Sequence, residues 1–159
     1  MGNSFPYHRQ SIRLKDYDYS NIGYYYITLC TNNRLNILGN IENNTVKLSS
    51  LGELTQNEWL NLTSRYKNII LDEYIIMPNH IHGIIAIENK SNISIGDIIC
   101  GYKSITTRKY NKSNGCNGNV LWQRNYYEHI IRNEKELYKI QQYIIYNPLK
   151  WNSDNLYSL

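Results

Sequence analysis

The chain has 159 residues, enough for one domain with a substantial core, and its apolar runs are only as long as strands, which excludes a membrane-spanning segment. The first fifteen residues contain no apolar stretch, so we expect no secretory signal. The net charge of +4 is uneven, since residues 1–100 carry eight Lys/Arg against nine Asp/Glu and residues 101–159 carry nine against four, which makes the second part the expected contact for a polyanion.

The cysteines and tyrosines set further limits. Cys30, Cys100 and Cys116 have no C-x-x-C spacing, so we expect reduced thiols in a cytoplasmic protein. With 16 tyrosines in the chain, no tyrosine stands out by its presence. A catalytic tyrosine therefore has to be identified by its position.

The start of the chain is predicted to form an arm, a strand and a hairpin. Residues 1–20 are polar and form an extended arm that Arg9 and Arg13 make basic. The run of β-branched and aromatic residues at 24–30 predicts a strand. Asn43-Asn44, between two short apolar segments, predicts the turn of a hairpin.

The rest of the chain alternates between helical and strand patterns. Ser94 and Asn133 are predicted helix N-caps, and Pro148 predicts the end of the last helix. The break at Pro78-Asn79 is so short that the strands on either side should pair antiparallel. The predicted elements are a helix from about 49 to 66, strands over 69–77 and 80–87, a helix over 94–110, a flexible loop over 111–119, an extended segment over 121–127, and a final helix over 134–148.

This order of elements predicts one domain over residues 1–159. Strand, hairpin, helix, two strands and two helices indicate an antiparallel sheet with helices packed mainly on one face. The expected fold class is therefore α+β, of ferredoxin-like type.

The two histidines of the strand at 80–87 are the strongest candidates for a metal site. Side chains two positions apart on a strand point to the same face, so His80 and His82 should lie side by side while Ile81 faces the core. Imidazole is the commonest metal ligand among side chains. A pair of ordinary strand histidines is an equally good interpretation of this motif alone.

A catalytic metal needs more than two protein ligands, so a third is expected elsewhere. The candidates from the residues are Asn147, Glu128, His129, Glu73 and the cysteines.

Tyr143 lies four positions before Asn147, on the same face of the last predicted helix. A tyrosine oxygen beside a metal ligand can attack a phosphodiester. Free tyrosine has a pKa near 10, so such a tyrosine needs activation by a cation or basic groups. Core packing for Tyr143 and a helix-end signal for Asn147 are the alternative explanations.

Four sequence blocks carry a resemblance to a known family. They are Met77-Pro-Asn-His-Ile-His-Gly-Ile-Ile, Tyr102-Lys-Ser-Ile-Thr-Thr-Arg, the segment from Leu121-Trp-Gln-Arg-Asn-Tyr-Tyr to Leu137, and Tyr143-Ile-Ile-Tyr-Asn-Pro-Leu-Lys-Trp. In this order and spacing they resemble the REP-associated tyrosine transposases, in the single-tyrosine branch of the HUH endonucleases. The resemblance covers about residues 8–152 and implies the HUH endonuclease fold.

The resemblance implies a role for each residue of the site. His80 and His82 match the pair that binds Mg²⁺ or Mn²⁺, and Asn147 matches the third ligand, which offers an amide oxygen. Tyr143 matches the nucleophile that takes the 5′-phosphate of single-stranded DNA and releases a 3′-OH. The implied activity is metal-dependent cleavage and strand transfer near hairpin or repeat elements, by a monomer or homodimer.

Further residues are candidates for contact with DNA. Aromatic residues of the Trp122 block can stack on bases, although packing in the core is the commoner role of such residues. A merely basic surface is the alternative explanation for the cations. The candidates are Arg9 and Arg13 in the arm, Lys103, Arg108 and Lys109 in the second long helix, and Trp122, Arg124 and Arg132 after it.

Two other functions compete with this interpretation. The first is a catalytically inactive or domesticated DNA-binding protein of the same fold. The second is a Zn²⁺ hydrolase that uses His80, His82 and a cysteine. The presence of both histidines, Tyr143 and Asn147 weighs against the first, and the lack of a recognisable cysteine spacing weighs against the second.

Overall fold

The structure, a computed structural model, describes residues 17–153 and Leu156. The predicted basic arm, with Arg9 and Arg13, lies outside the described residues except for its last few positions. No helix in the described part of the chain is long and apolar enough to cross a membrane.

Six strands and four α-helices make up the described chain, with short 3-10 segments at Asn32–Arg34 and Asn147–Ser153. The elements are β1 Gly23–Cys30, β2 Gly39–Glu42, β3 Thr45–Leu48, α1 Ser50–Leu60, α2 Leu62–Arg65, β4 Ile69–Ile76, β5 His80–Ile87, α3 Ile95–Ser113, β6 Tyr127–Ile131 and α4 Glu134–Ile145.

Four strands form the main sheet, in the order β4-β5-β1-β6, and every neighbouring pair is antiparallel. Together with α1 and α3 they follow the β-α-β-β-α-β order of ferredoxin-like folds, which confirms the predicted fold class. The remaining strands, β2 and β3, form a separate hairpin. Its turn residues Asn43 and Asn44 both have positive φ, at 51° and 59°, as a tight hairpin turn requires.

The main core lies between the sheet and the helices α1 and α3. Alternate residues of the two central strands, such as Ile27 and Ile85, face these helices and are fully buried. Trp59 of α1 packs directly over Gly83, where a side chain would leave no room. The backbone of β5 is thereby pressed against α1 at the residue that follows His82.

The other face of the sheet is covered by α4, which makes a second, smaller core. Ile144 of α4 is buried against Ile84 of β5 and Ile131 of β6. The prediction that helices pack mainly on one face holds for α1 and α3, while α4 is the exception. This exception matters because His80 and His82 alternate with Ile81 and so belong to the face that α4 covers.

Three details differ from the sequence predictions. Strand β6 was missed, because the polar pair Glu128-His129 interrupts its apolar pattern and its pairing with β1 joins residues far apart in sequence. Helix α3 continues to Ser113, into the predicted loop. The last helix ends at Ile145, and Asn147 begins a 3-10 segment.

The contact between Gly83 and Trp59 predicts a large effect of one methyl group. A Cβ at Gly83 would lie 2.3 Å from the Trp59 ring, which is fully buried and cannot move aside. We expect Gly83→Ala to lower the free energy of unfolding by about 1–3 kcal/mol, measured by urea denaturation.

Gly101→Ala is the matched control. Its added Cβ meets only the terminal hydroxyl of Tyr66, at 2.7 Å, and alanine favours the helix in which it lies. We expect this variant to stay within about 1 kcal/mol of the parent protein. Equal stability of the two variants would contradict the proposed packing constraint.

Candidate functional site

The two histidines lie side by side on β5, as their spacing predicted. Their ring centroids are 4.4 Å apart, with an angle of 64° between the rings. Both side chains are buried, and their neighbour Ile81 packs in the main core on the opposite face. The sheet therefore holds two imidazoles rigidly on one surface.

The hydrogen bonds of Asn79 define the protonation of His80. The Asn79 amide nitrogen donates to the carbonyl oxygens of Arg34 and Leu156, at 3.2 and 2.7 Å, which makes its Oδ1 the acceptor. This oxygen lies 2.7 Å from His80 Nδ1, so Nδ1 carries the proton and donates it. The lone pair of the neutral ring is then on Nε2, the nitrogen that can bind a cation.

His82 is oriented by two hydroxyl groups on β1. Its Nδ1 lies 2.7 Å from the hydroxyl of Tyr26 and 2.9 Å from that of Thr28. Burial, followed by the neighbouring charge of His80, holds the pKa of His82 well below its usual value. His82 is therefore neutral, which is the form that binds metals.

Tyr143 of α4 faces His82 within the same chain. Its hydroxyl lies 3.5 Å from His82 Nε2, and the two ring centroids are 5.2 Å apart. The side chain remains 43% exposed, so its hydroxyl group can be reached from solvent. The structure thus brings together the predicted nucleophile and one predicted metal ligand.

Polar contacts join α4 to β6 and to β4 of the main sheet. At its start, the Asn133 side chain accepts from the Glu136 backbone N–H, at 2.9 Å, and His129 of β6 lies 2.7 Å from the Glu136 carboxylate. A hydrogen bond from the Arg132 backbone, followed by the one from His129, lowers the pKa of Glu136. Near the middle of α4, Gln141 donates to both carboxylate oxygens of Asp72, at 2.9 and 3.1 Å.

Asn147, the predicted third ligand, is buried at the first position of the 3-10 segment that follows α4. Trp151 of the same segment packs against His80, with ring centroids 5.9 Å apart. The segment that carries Asn147 is therefore in contact with the histidine pair. Its role as a ligand stays a prediction.

These residues fit a hard divalent cation. Two imidazoles with their Nδ1 atoms engaged, together with an amide oxygen, are suitable for Mn²⁺ or Mg²⁺. Cys30 pairs with His80 in the strand register, yet the described residues contain no group of three His, Cys, Asp or Glu side chains that could hold a metal. A Zn²⁺ site built from the histidines and a cysteine is therefore not supported.

Several predicted DNA contacts line one groove between α3 and residues 117–126. The groove has a volume of about 780 Å³, and its lining includes four cations and no carboxylate. Lys103 donates to the carbonyl oxygens of Gln123 and Arg124, at 2.6 and 2.9 Å, and burial lowers its pKa. The four cations are Lys103, Arg108, Lys112 and Arg124. We call this surface the α3 groove.

The other predicted DNA contacts lie elsewhere. Lys109, together with Arg65, forms ion pairs with the buried carboxylate of Glu58. Burial raises the pKa of Glu58, but the hydrogen bonds from Lys109 and Arg65 outweigh it, and the net shift is downward. Lys109 therefore has a structural role, whereas Arg132 is exposed beside the start of α4.

Trp122 corrects the expectation of a base-stacking residue. The side chain is only 2% exposed and packs in the main core, where its Nε1 donates to Thr106 at 2.8 Å. Only part of it reaches the α3 groove. The core role, which is the commoner one for such residues, is the one observed.

Sequence reasoning missed Tyr26, Thr28 and Asn79 as parts of the site. Tyr26 and Thr28 alternate along β1, and Thr28 pairs with His82 across the sheet. Their alternation was visible in the sequence, but the pairing register that joins them to His82 was not. Asn79 was interpreted only as part of a strand break.

Comparison with known proteins shows consistent similarity to transposases. A family profile described as "Transposase IS200 like" matches residues 19–147. A Haemophilus influenzae protein without a functional name is 38% identical over 98% of this chain and 96% of its own length. A second protein of that organism, provisionally named REP-associated tyrosine transposase, is 36% identical over 47% of each chain. In fold, the chain is similar to a REP-associated tyrosine transposase solved with a REP hairpin, with a TM-score of 0.62 and 18% identity over 89% of this chain and 74% of that one.

The cap at the start of α4 predicts how firmly the helix holds Tyr143. Asn133→Ala removes the acceptor for the Glu136 N–H, so we expect the first turn of α4 to lose about 1 kcal/mol of local stability. Hydrogen exchange should then speed up in the first turn of α4 and remain unchanged in β5. Asn133→Asp, which keeps an acceptor oxygen, is the control, and equally fast exchange in both variants would count against the cap.

Proposed function

The chain belongs to the IS200-like transposase family, as its motifs predicted, and on this premise we propose that it cuts and rejoins single-stranded DNA through a covalent bond to Tyr143. The observation that carries the proposal is the 3.5 Å distance between the Tyr143 hydroxyl and His82 Nε2. Family membership implies DNA transposition in general. The nucleophile, the metal and the form of the DNA are the parts that we propose.

The reaction uses the exposed hydroxyl of Tyr143. Its oxygen attacks the phosphorus atom, a bond forms between Tyr143 Oη and phosphorus, and the bond from phosphorus to the 3′ oxygen breaks. The tyrosine proton passes to solvent, and the departing 3′ oxygen takes up a proton to become a 3′-OH. Rejoining is the reverse reaction, and because the phosphotyrosine bond conserves the phosphodiester energy, no ATP is needed.

His80, His82 and Asn147 would hold the Mg²⁺ or Mn²⁺ ion. When bound, such an ion acts as a Lewis acid toward a non-bridging phosphate oxygen. The protein orients both imidazoles through Asn79 and Tyr26, so that no rearrangement of β5 is required.

The proposed substrate is single-stranded DNA next to a hairpin. A hairpin is bound by the similar REP-associated transposase, and this chain offers the α3 groove, whose cations face no carboxylate in its lining. Phosphate contacts of this kind position the DNA, while the chemistry takes place at Tyr143. In this arrangement binding and cleavage use different residues.

A catalytically inactive DNA-binding protein is the second candidate function. The observation in its favour is that the α3 groove, with its four cations, does not include Tyr143 in its lining. One arrangement weighs against this candidate. The two histidines contact each other, and His82 contacts both Tyr26 and Tyr143. A protein that only binds DNA does not need such a cluster.

The decisive experiment is an adduct assay with labelled single-stranded DNA that carries a hairpin. With Mn²⁺ present, we expect the parent protein to form a covalent adduct that survives denaturation, and Tyr143→Phe to form none. Tyr146→Phe is the matched control, because Tyr146 is also about half exposed and lies three positions further along the chain.

Each outcome decides between the candidates. An adduct that persists in Tyr143→Phe moves the nucleophile to another tyrosine, with Tyr146 or Tyr138 next. DNA binding without an adduct, over a range of hairpin substrates, favours the inactive binding protein. If His80→Ala forms no adduct with either Mg²⁺ or Mn²⁺, that result supports the role of the histidine pair.

The α3 groove predicts a separate effect on DNA affinity. Replacing both Arg108 and Arg124 with alanine removes two exposed cations from the groove. We expect weaker hairpin binding and a salt dependence of log K that is less steep by about 2, roughly 1 for each lost phosphate contact. The adduct rate at saturating DNA should stay unchanged.

Fluorescence anisotropy at several salt concentrations measures this effect. Lys135→Ala is the control, since Lys135 is an exposed cation of α4 that does not line the groove. If the control weakens binding as much as the double variant, a diffuse basic surface rather than the groove binds the DNA.

A further inference from the structure

Tyr26 is the residue of β1 that contacts both halves of the proposed site. Its hydroxyl lies 2.7 Å from His82 Nδ1, and its ring stacks on the His82 ring with centroids 5.6 Å apart and an angle of 28°. Its ring also meets the ring of Tyr143 edge-on, at 6.4 Å and 86°. One side chain therefore touches a predicted metal ligand and the predicted nucleophile at once.

The hydroxyl of Tyr26 acts on the orientation of His82. A histidine binds a cation through one ring nitrogen while the other donates its proton to a neighbouring acceptor, which selects the tautomer and orients the ring. At His82 that second nitrogen is Nδ1, and the hydroxyls of Tyr26 and Thr28 are the groups within hydrogen-bond distance of it. Tyr26 makes the shorter of the two contacts, and the stacking of its ring also restricts rotation of the imidazole.

The ring of Tyr26 acts on Tyr143. Tyr143 lies on α4, and its side chain is 43% exposed to solvent. Without a neighbour on β1 its side chain could turn away from His82. The edge-on contact with Tyr26 limits this movement, because such ring pairs prefer a defined geometry.

We propose that Tyr26 is the positioning residue of this site, whose hydroxyl orients His82 for the cation and whose ring holds Tyr143 beside it. The inference rests on the proposed function, since it assigns Tyr26 to the same site. The proposal gives the hydroxyl and the ring of Tyr26 different roles. Removing the hydroxyl should weaken metal binding, and removing the ring should also slow the attack of Tyr143.

The first test measures Mn²⁺ binding without DNA, by the electron paramagnetic resonance signal of free Mn²⁺. We expect Tyr26→Phe to bind Mn²⁺ about tenfold more weakly and Tyr26→Phe/Thr28→Val about 100-fold more weakly, within the range for residues that orient a metal-binding histidine. Tyr24→Phe is the matched control, because Tyr24 lies two positions earlier on the same strand, is 40% exposed and lies farther from His82 along β1. It should bind Mn²⁺ like the parent protein.

The second test measures the rate of adduct formation at saturating Mn²⁺ and DNA. Tyr26→Phe keeps the ring, so its rate should stay within about twofold of the parent rate once its weaker metal binding is overcome. Tyr26→Leu has no ring, and we expect its rate to fall about tenfold even at saturating Mn²⁺. If the leucine variant does not fold, Tyr26→Met fills similar space and serves the same comparison.

The results distinguish the two levels of the proposal. If the parent protein binds Mn²⁺ and forms the adduct, while Tyr26→Phe does both equally well at low Mn²⁺, the role of Tyr26 is wrong and the proposed function stands. If the parent protein forms no adduct, the proposed function fails, while the Mn²⁺ measurement still decides whether the Tyr26 hydroxyl acts on His82. Equal losses of Mn²⁺ affinity in Tyr24→Phe and Tyr26→Phe would show a general effect on β1 and also overturn the proposal.

Discussion

The register between β1 and β5 is the constraint on which the rest of this structure depends. β5 is buried on both faces, so each of its residues faces either the main core or the side that α4 covers, and alternation decides which. Pairing Thr28 with His82 and Cys30 with His80 gives the histidines their neighbours on β1. A shift by one residue would send both imidazoles into the core and the isoleucines toward α4.

Packing on one face of β5 stabilises the geometry on the other. Trp59 lies against the bare backbone of Gly83, and Ile81 and Ile85 are fully buried beneath α1 and α3. Because this core is dense, the strand cannot shift to accommodate a ligand, and the imidazoles are held in place before any ligand binds. The hydrogen bonds between the imidazoles and Asn79, Tyr26 and Thr28 then orient the rings.

The element that completes the site is the one outside the ferredoxin-like order. α4 covers the second face through a small apolar cluster around Ile144, and polar contacts at Glu136 and Gln141 align it with the sheet. A half-exposed tyrosine on such a helix can be close to the histidines and still open to a DNA strand. The α3 groove lies on a different element, so the proposed DNA contacts and the proposed nucleophile can be altered separately.

Much of the fold could be predicted from the sequence because its strongest signals are local. The paired strands at 69–77 and 80–87, the Asn43-Asn44 turn and the caps Ser94 and Asn133 all act within a few residues, and the structure contains them. Strand β6 was not predictable in this way. Its polar centre is Glu128, which accepts from Tyr126 at 2.6 Å, and His129, which meets Glu136 of α4, while its pairing partner β1 lies far earlier in the sequence.

The same division applies to the site. The sequence by itself determined that His80 and His82 share one face of a strand, because side chains alternate on any strand, and its motifs determined the family. Only the tertiary structure decided that Tyr143 meets His82 in the same chain, that Trp122 belongs to the core, and that Tyr26 contacts both His82 and Tyr143. These facts depend on strand register and on which face α4 covers, and both arise from the packing of residues that are far apart in sequence.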